Sequence, residues 1–206
     1  AKAQEAAKVC FGVWRNLAGE ATPENCPYLK EKGVQGHGVK VDKDGHLVVP
    51  ARDAQGRLWS VQVFRDDGKR FIKDSRKEGM MHVISSSGNG KLSALAASKD
   101  AIVICEGYAT GAEIHEDTGL PVVVAFDSGN LKAVAETVHA TYPQRQILIA
   151  GDNDHANTLG NVGERKAGEA ADVVGGLSVV PSFNGEEKAQ SLTDFNDLGQ
   201  ARGKQA

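Results

Sequence analysis

The sequence has few cysteines, few aromatic residues and no long apolar run. Its 206 residues include three cysteines, Cys10, Cys26 and Cys105, an odd number without disulfide-framework or zinc-ligand spacing. We therefore expect a reducing, cytoplasmic compartment. No apolar segment approaches the roughly 20 residues of a membrane span, and the polar start of the chain lacks a signal-peptide core. We expect neither a disulfide-stapled secreted domain nor a membrane protein.

The net charge of −3 conceals a difference between the two halves of the chain. Residues 1–97 hold 16 Lys/Arg and 11 Asp/Glu, whereas residues 98–206 hold 8 Lys/Arg and 16 Asp/Glu. A basic half beside an acidic, cation-binding half suits a polyanionic partner such as a nucleic acid. Two solvated surfaces of different composition would give the same counts, so charge alone leaves both interpretations open.

The local pattern predicts a small α+β subdomain over residues 1–97. Apolar spacing predicts a helix over 2–18, and a second short helix is expected to start at Thr22-Pro23 and end at Gly33. Runs of strand character follow at 46–50, 57–64 and 69–72. Because turns and no helices separate these runs, the strands are expected to pair in an antiparallel sheet.

After residue 97 the pattern alternates between strand and helix. Strands are predicted at 101–105, 122–126, 146–150 and 177–180, and helices at 109–117, 130–140 and 161–174. This alternation is typical of a parallel sheet flanked by helices. We therefore predict an α/β domain over residues 98–206, with a weakly patterned polar tail from residue 186.

Three acids follow two of the predicted buried strands. Glu106 comes after the first strand, and Asp152 and Asp154 come after the third. Because carboxyl ends of parallel strands line one crevice, these oxygens are expected to converge and to suit Mg²⁺ or Mn²⁺. Neighbouring Gly107 and Gly151 are expected to leave room for a metal or a phosphate. Each acid taken alone can equally be a helix cap or a turn residue.

The order of these acids resembles that of the Toprim domain, which is shared by bacterial-type primases, topoisomerases, nucleases and recombination proteins. The same order argues against two other folds. A receiver domain or an Asp-x-Asp phosphatase would need its acid pair after the first strand, whereas here the pair follows the third strand. Longer segments, at 104–110, 125–131 and 193–198, resemble the Toprim module of plasmid- and phage-encoded DNA primases. Segments of the first half resemble the subdomain that precedes Toprim in those primases, at 27–33, 47–53, 56–62 and 68–71.

The resemblance implies a Toprim-type fold and a metal-dependent DNA primase core, a nucleotidyltransferase that makes short RNA primers. Its implied partners are single-stranded DNA, nucleoside triphosphates, and a helicase or further domains of a larger plasmid, phage or conjugative protein. It further implies catalytic metal ligands at Glu106, Asp152 and Asp154, with Asp194 as an additional ligand. Residues implied to hold template or nucleotide are Lys69, Arg70, Lys73 and Arg52, although an exposed strand edge often carries such cations.

The chain also departs from the primase pattern. Primases of this type carry a zinc-binding module ahead of the catalytic core, and neither this cluster nor a helicase segment occurs in the sequence. Two alternatives remain open: a Toprim nuclease that uses the same acids, and a non-catalytic module that binds single-stranded DNA.

Overall fold

The structure is a computed structural model that describes residues 2–17, 19–157 and 160–203. The helices are α1 (Lys2–Asn16), α2 (Pro27–Lys32), α3 (Tyr108–Thr118), α4 (Leu131–Thr141), α5 (Val162–Val174), α6 (Gly185–Ala189) and α7 (Phe195–Arg202). The strands are β1 (Gly19–Glu20), β2 (Lys40–Val41), β3 (Leu47–Arg52), β4 (Leu58–Arg65), β5 (Gly68–Phe71), β6 (His82–Ile84), β7 (Ile102–Cys105), β8 (Val122–Val124), β9 (Ile147–Ala150) and β10 (Leu177–Val179). No helix among the described residues is long and apolar enough to cross a membrane.

The first half of the chain forms the predicted antiparallel sheet, with strand order β1-β2-β3-β4-β5. Alternating side chains of β3 and β4 point to opposite faces, as the two-residue period of a strand requires. One face packs Val48, Val61 and Val63 against Trp14 and Leu17 of the α1 region. The other face, which includes Leu47, Val49 and Phe64, joins a core that continues into the second half of the chain.

The second sheet has strand order β10-β9-β7-β8-β6, and all of its pairings are parallel except that of β6 with β8. Apolar residues of α4 and α5 cover one face, where Val134 and Ala170 pack with Ile104 of β7. Helix α3 covers the other face through Tyr108 and Ala112, which belong to the core shared with the first half. The predicted α/β class, with a parallel sheet flanked by helices and a preceding antiparallel subdomain, is confirmed.

The two halves share a sheet as well as a core. Strand β6 precedes the predicted boundary at residue 97, yet it pairs with β8, with Ile84 opposite Val122. Its three side chains are fully buried, so it completes the second sheet instead of extending the first. The division of the chain into two domains at residue 97 stays a prediction, because segments on both sides of that residue contribute strands to the second sheet.

Two local expectations were wrong. The second helix starts at Pro27 and not at Thr22-Pro23, because Thr22 O accepts hydrogen bonds from Asn25 N and Cys26 N and closes a separate turn. The predicted end at Gly33 is confirmed, since its φ of 65° is left-handed.

The tail after residue 186 is also more regular than expected, because capping boxes at Asn184 and Asp194 start α6 and α7.

A buried tyrosine joins the two halves. The Tyr108 hydroxyl accepts a hydrogen bond from His37 N at 2.8 Å and donates one to Gln35 O at 3.1 Å. The same loop is held a second time, because Gln35 N donates to Glu116 Oε1 at 2.7 Å. Since Tyr108 is at the start of α3, its hydroxyl group connects the 34–38 loop to the second half of the chain.

We expect Tyr108→Phe to lower the free energy of unfolding by about 1–3 kcal/mol, because two partly buried hydrogen bonds to the backbone are lost. Urea denaturation of both proteins measures the change. Tyr142→Phe is the matched control, since the half-buried Tyr142 hydroxyl donates a single bond, to Leu92 O at 2.9 Å. A loss for Tyr108→Phe no larger than that of the control would contradict this role.

Candidate active site

The strand register brings the predicted acids to one edge of the second sheet. Cys105 of β7 lies opposite Ala150 of β9, so Glu106 and the 151–154 segment leave neighbouring strands side by side. Asn153 N donates to Thr193 O at 2.7 Å, which brings the residue after Thr193, Asp194, to the same edge. The convergence follows from parallel pairing, because carboxyl ends of parallel strands share an edge.

The pKa values of two of these carboxyl groups, Glu106 and Asp152, are raised. Burial raises the pKa of Glu106 to about 7, with a further increase from the negative charge of Asp154 and a decrease from the peptide amide of Asp152. Burial raises the pKa of Asp152 to about 8, with further increases from Glu106, Asp194 and Asp154. The charge of Asp154 therefore acts on both Glu106 and Asp152, and that of Asp194 acts on Asp152.

The acidic edge offers two candidate donor atoms for a divalent cation. Glu106 Oε1 and Asp152 Oδ1 are buried and have no hydrogen-bond partner among the described residues. A buried acceptor without a partner is costly, and a hydrated Mg²⁺ or Mn²⁺ would satisfy both oxygens. Within residues 2–17, 19–157 and 160–203, no three acids of this edge have ligand atoms that all lie within 4.8 Å of one another.

A second acidic group lies in the turn between β2 and β3 and was not predicted. Asp42, Asp44 and His46 offer ligand atoms that all lie within 4.8 Å of one another. The turn itself accounts for this proximity. Asp42 Oδ1 accepts from the backbone amides of Asp44 and His46 at 2.9 Å, and Asp42 Oδ2 lies 3.0 Å from His46 Nδ1.

Two of the predicted ligands also have capping roles. Asp154 Oδ2 accepts from Gly163 N at 3.0 Å in the first turn of α5. Asp194 caps α7, with Oδ1 accepting from Asp197 N at 2.8 Å, while Thr110 Oγ1 donates to Oδ2 at 3.1 Å. The capping interpretation thus holds for Asp154 and Asp194, whereas the unpartnered oxygens belong to Glu106 and Asp152. Metal ligation by all four stays a prediction.

The space at Gly151 is not free for a phosphate, contrary to expectation. A Cβ atom there would lie 2.6 Å from the Cβ of Ala167 and 3.0 Å from Gly163 O. The residue is small because α5 packs directly on the end of β9. The same close approach holds at Gly163, where a Cβ would lie 2.4 Å from Asp152 O.

The four predicted basic residues have different surroundings. Lys69 is exposed on β5, 5.3 Å from the Phe64 ring centroid, and its charge lowers the pKa of Asp152, which places it towards the acids. Arg70 lies 2.6 Å from Asp67 in an exposed ion pair. Lys73 is exposed beyond β5. The half-buried Arg52 donates to Gly56 O at 3.2 Å. Their binding roles stay predictions.

Lys77 was missed by the sequence analysis. Its Nζ lies 2.9 Å from Asp127 Oδ2, so it bridges the basic half to the acidic edge. Beside it, the Phe71 and Phe126 rings meet edge to face at 5.3 Å, and Phe126 has a strained φ of 75°. No signal in the sequence distinguishes Lys77 from the other charges of the 73–78 segment, because its importance comes from its distance to Asp127.

The parallel sheet with an acidic carboxyl edge defines the class of this protein as an α/β protein of the Toprim type. The model of the Toprim domain matches residues 101–205, about half of the chain. The chain therefore belongs to the Toprim family, and the resemblance seen in the sequence is confirmed.

Two curated relatives from Escherichia coli are both DNA primase TraC. One is 48% identical over 172 residues, which is 81% of this chain and 16% of the relative. The other is 45% identical over 192 residues, which is 88% of this chain and 12% of the relative. The chain thus spans less than a fifth of the length of either relative.

Solved primase structures share the fold. A DnaG primase catalytic domain bound to single-stranded DNA aligns with a TM-score of 0.60 and 13% identity, over 98% of this chain and 79% of that one. The RNA polymerase domain of Mycobacterium tuberculosis DnaG, in complex with double-stranded DNA, aligns with a TM-score of 0.52 and 15% identity, over 96% and 76%. At these identities the likeness concerns the fold alone.

We expect Asp152→Asn to stabilise the metal-free protein at alkaline pH. The folded-state pKa of Asp152 is raised to about 8, so stability falls as the pH rises from about 4 to 8 and the wild-type side chain ionises. Asn cannot ionise, and the gain should grow from near zero at pH 4 to about 1–3 kcal/mol at pH 8.5. Urea denaturation in EDTA measures it.

Asp172→Asn, at an exposed position on α5, is the control and should show no such pH-dependent gain. If the difference in stability between Asp152→Asn and the wild-type protein were the same at pH 4 and at pH 8.5, the result would contradict the burial of a charged Asp152.

Proposed function

We propose that this chain is the catalytic core of a DNA primase that joins ribonucleotides on a single-stranded DNA template. The observation that carries the proposal is the pair of buried, unpartnered oxygens on Glu106 and Asp152, at an edge that faces the basic half. The TraC relatives are named DNA primases and support this activity over other Toprim chemistries.

In this proposal the protein side chains position the reactants. Glu106 and Asp152 hold the divalent cation, with Asp154 and Asp194 completing the acidic edge. A bound Mg²⁺ or Mn²⁺ would neutralise charge on the triphosphate during in-line displacement. The positive charge of Lys69 lowers the pKa of Asp152, and its exposed ammonium group would contact phosphates that enter the site. Arg70, Lys73 and Arg52 are assigned to template or nucleotide by the family resemblance.

The proposed partners are single-stranded DNA and nucleoside triphosphates, in the cytoplasm. One DnaG catalytic domain of the same fold is bound to single-stranded DNA, which supports this choice. Since the curated relatives are many times longer than this chain, we further propose that the core works with other domains or a helicase. A role in plasmid, phage or conjugative replication follows from the resemblance to primases of mobile elements.

We expect the wild-type chain to make short labelled oligonucleotides from ribonucleotides, single-stranded DNA and Mg²⁺. Asp152→Asn and Asp154→Asn should each reduce synthesis at least 100-fold, because removing one group that acts on transition-state charge costs about 2.7–4 kcal/mol. A priming assay over a panel of templates measures this, with Asp172→Asn as control. Template fragments instead of new oligonucleotides would assign a nuclease, and full activity in the two Asn variants would remove the proposal.

We also expect Mn²⁺ to raise the stability of the wild-type protein, by about 2.7 kcal/mol at a hundred times its dissociation constant. Glu106→Gln and Asp152→Asn should abolish this gain, since each removes a buried ligand oxygen. Thermal denaturation with and without Mn²⁺ measures it. Asp42→Asn is the matched control at the other acidic group. If Asp42→Asn lost the stability gain from Mn²⁺ and Asp152→Asn kept it, the cation site would be assigned to the β2–β3 turn instead.

A further inference from the structure

The turn that follows β8 has a backbone conformation that its sequence does not favour. Phe126 has a φ of 75°, in the left-handed region, where a bulky side chain is an outlier. Such a conformation persists only where the surrounding structure over-determines it. The turn starts beside the end of β7, because Ala125 N donates to Cys105 O at 2.8 Å. The strained residue therefore lies close to Glu106, the residue that follows Cys105.

A buried asparagine holds this turn against both halves of the chain. Asn130 is 3% exposed, and its Nδ2 donates to Ala125 O at 2.8 Å and to Met80 O at 3.0 Å. Its Oδ1 accepts from Gly79 N at 2.7 Å, and its own amide donates to Asp127 O at 3.1 Å. One side chain therefore ties the start of the turn, the end of the turn and the first half of the chain to one another.

Two other side chains of the turn also contact the first half of the chain. The Phe126 ring packs edge to face on the Phe71 ring, with 5.3 Å between the centroids. Asp127 Oδ2 lies 2.9 Å from Lys77 Nζ. Together with the hydrogen bonds of Asn130, these contacts leave the turn little freedom to relax, which explains why the strain at Phe126 is retained.

The anchored turn directs a backbone amide at Glu106. Residues Ser128–Asn130 form a short 3₁₀ helix after Asp127, which is extended with φ and ψ of −158° and 163°. The backbone amides of Ser128 and Asp152 each lower the pKa of Glu106, as amides that favour an ionised carboxylate do. Glu106 therefore meets two amides that the fold supplies, whereas its Oε1 has no partner among the described residues.

We propose that the 126–130 turn is the positioning element for Glu106. The Ser128 amide orients the carboxylate so that Oε1 faces a divalent cation, and Asn130 holds that amide in place. Groups that hydrogen-bond a metal-ligating carboxylate orient it, and their loss costs roughly 10–100-fold in metal affinity. The strain at Phe126 has a role in this arrangement, because a relaxed turn would aim the amide elsewhere. The inference rests on the proposed function only for the cation.

The test removes the amide with as little other change as possible. Ser128→Pro lacks the N–H group, and proline suits the first position of a helix that follows an extended residue. Ser128→Ala is the matched control, because it keeps the amide and loses only the hydroxyl group. We expect Ser128→Pro to weaken Mn²⁺ binding about 10-fold or more, and Ser128→Ala to change it less than about twofold. Calorimetric titration with Mn²⁺, without DNA or nucleotides, measures both.

Asn130→Ala is a second variant, which releases the turn and leaves the Ser128 peptide unchanged. We expect it to weaken Mn²⁺ binding about 10-fold as well. Its control is Val138→Ala, which lowers stability by truncating a buried side chain about two turns further along α4. A purely structural role for Asn130 would lower the free energy of unfolding in both variants and leave the Mn²⁺ affinity of the folded proteins unchanged. That result would overturn the role of Asn130.

Crystal structures of the two Ser128 variants without metal give a second measurement. We expect the Glu106 carboxylate to be displaced in Ser128→Pro and to stay in place in Ser128→Ala. An undisplaced Glu106 in Ser128→Pro, or equal Mn²⁺ affinities of the two variants, would overturn the proposal. If the wild-type chain bound no Mn²⁺, the cation site of the proposed function would be refuted, and the position of Glu106 in the two crystal structures would still decide this inference.

Discussion

The mutual repulsion of buried carboxylates at the edge of the second sheet is the constraint around which this protein is organised. Parallel pairing of β7 and β9 forces Glu106 and Asp152 together, and burial makes each harder to ionise. Nothing about fold stability requires this arrangement, since a neutral edge would be more stable. The arrangement forms because the apolar packing of β7 and β9 fixes their register.

The antiparallel half contributes more than a second layer. It places Lys77 2.9 Å from Asp127, and the hydrogen-bonded hydroxyl group of Tyr108 joins the 34–38 loop to α3. The edge-to-face contact of Phe71 with Phe126 joins the two halves at the same place. The result is that side chains of both halves meet beside the acidic edge.

Much of the fold could be predicted because its signals are local. Apolar runs that alternate with helical segments located β7, β8 and β9, and Gly33 marked the end of a helix, where its backbone is left-handed. The failures have a common cause. Strand β6 belongs to the second sheet because it pairs with β8, which is distant in the sequence. Thr22 closes a turn instead of starting a helix. Neither outcome follows from residue preferences, because both depend on partners outside the segment.

The sequence by itself determined the α/β alternation, the Toprim family and which acids follow which strands, since these depend on the order and spacing of residues. Tertiary structure decided what each acid does. Glu106 and Asp152 keep unpartnered oxygens, whereas Asp154 and Asp194 accept helix amides. It also brought Lys77 to Asp127 and Asn130 to Gly79. Hydrogen bonds and charges act over a few ångströms in space, and spacing along the chain does not specify those distances.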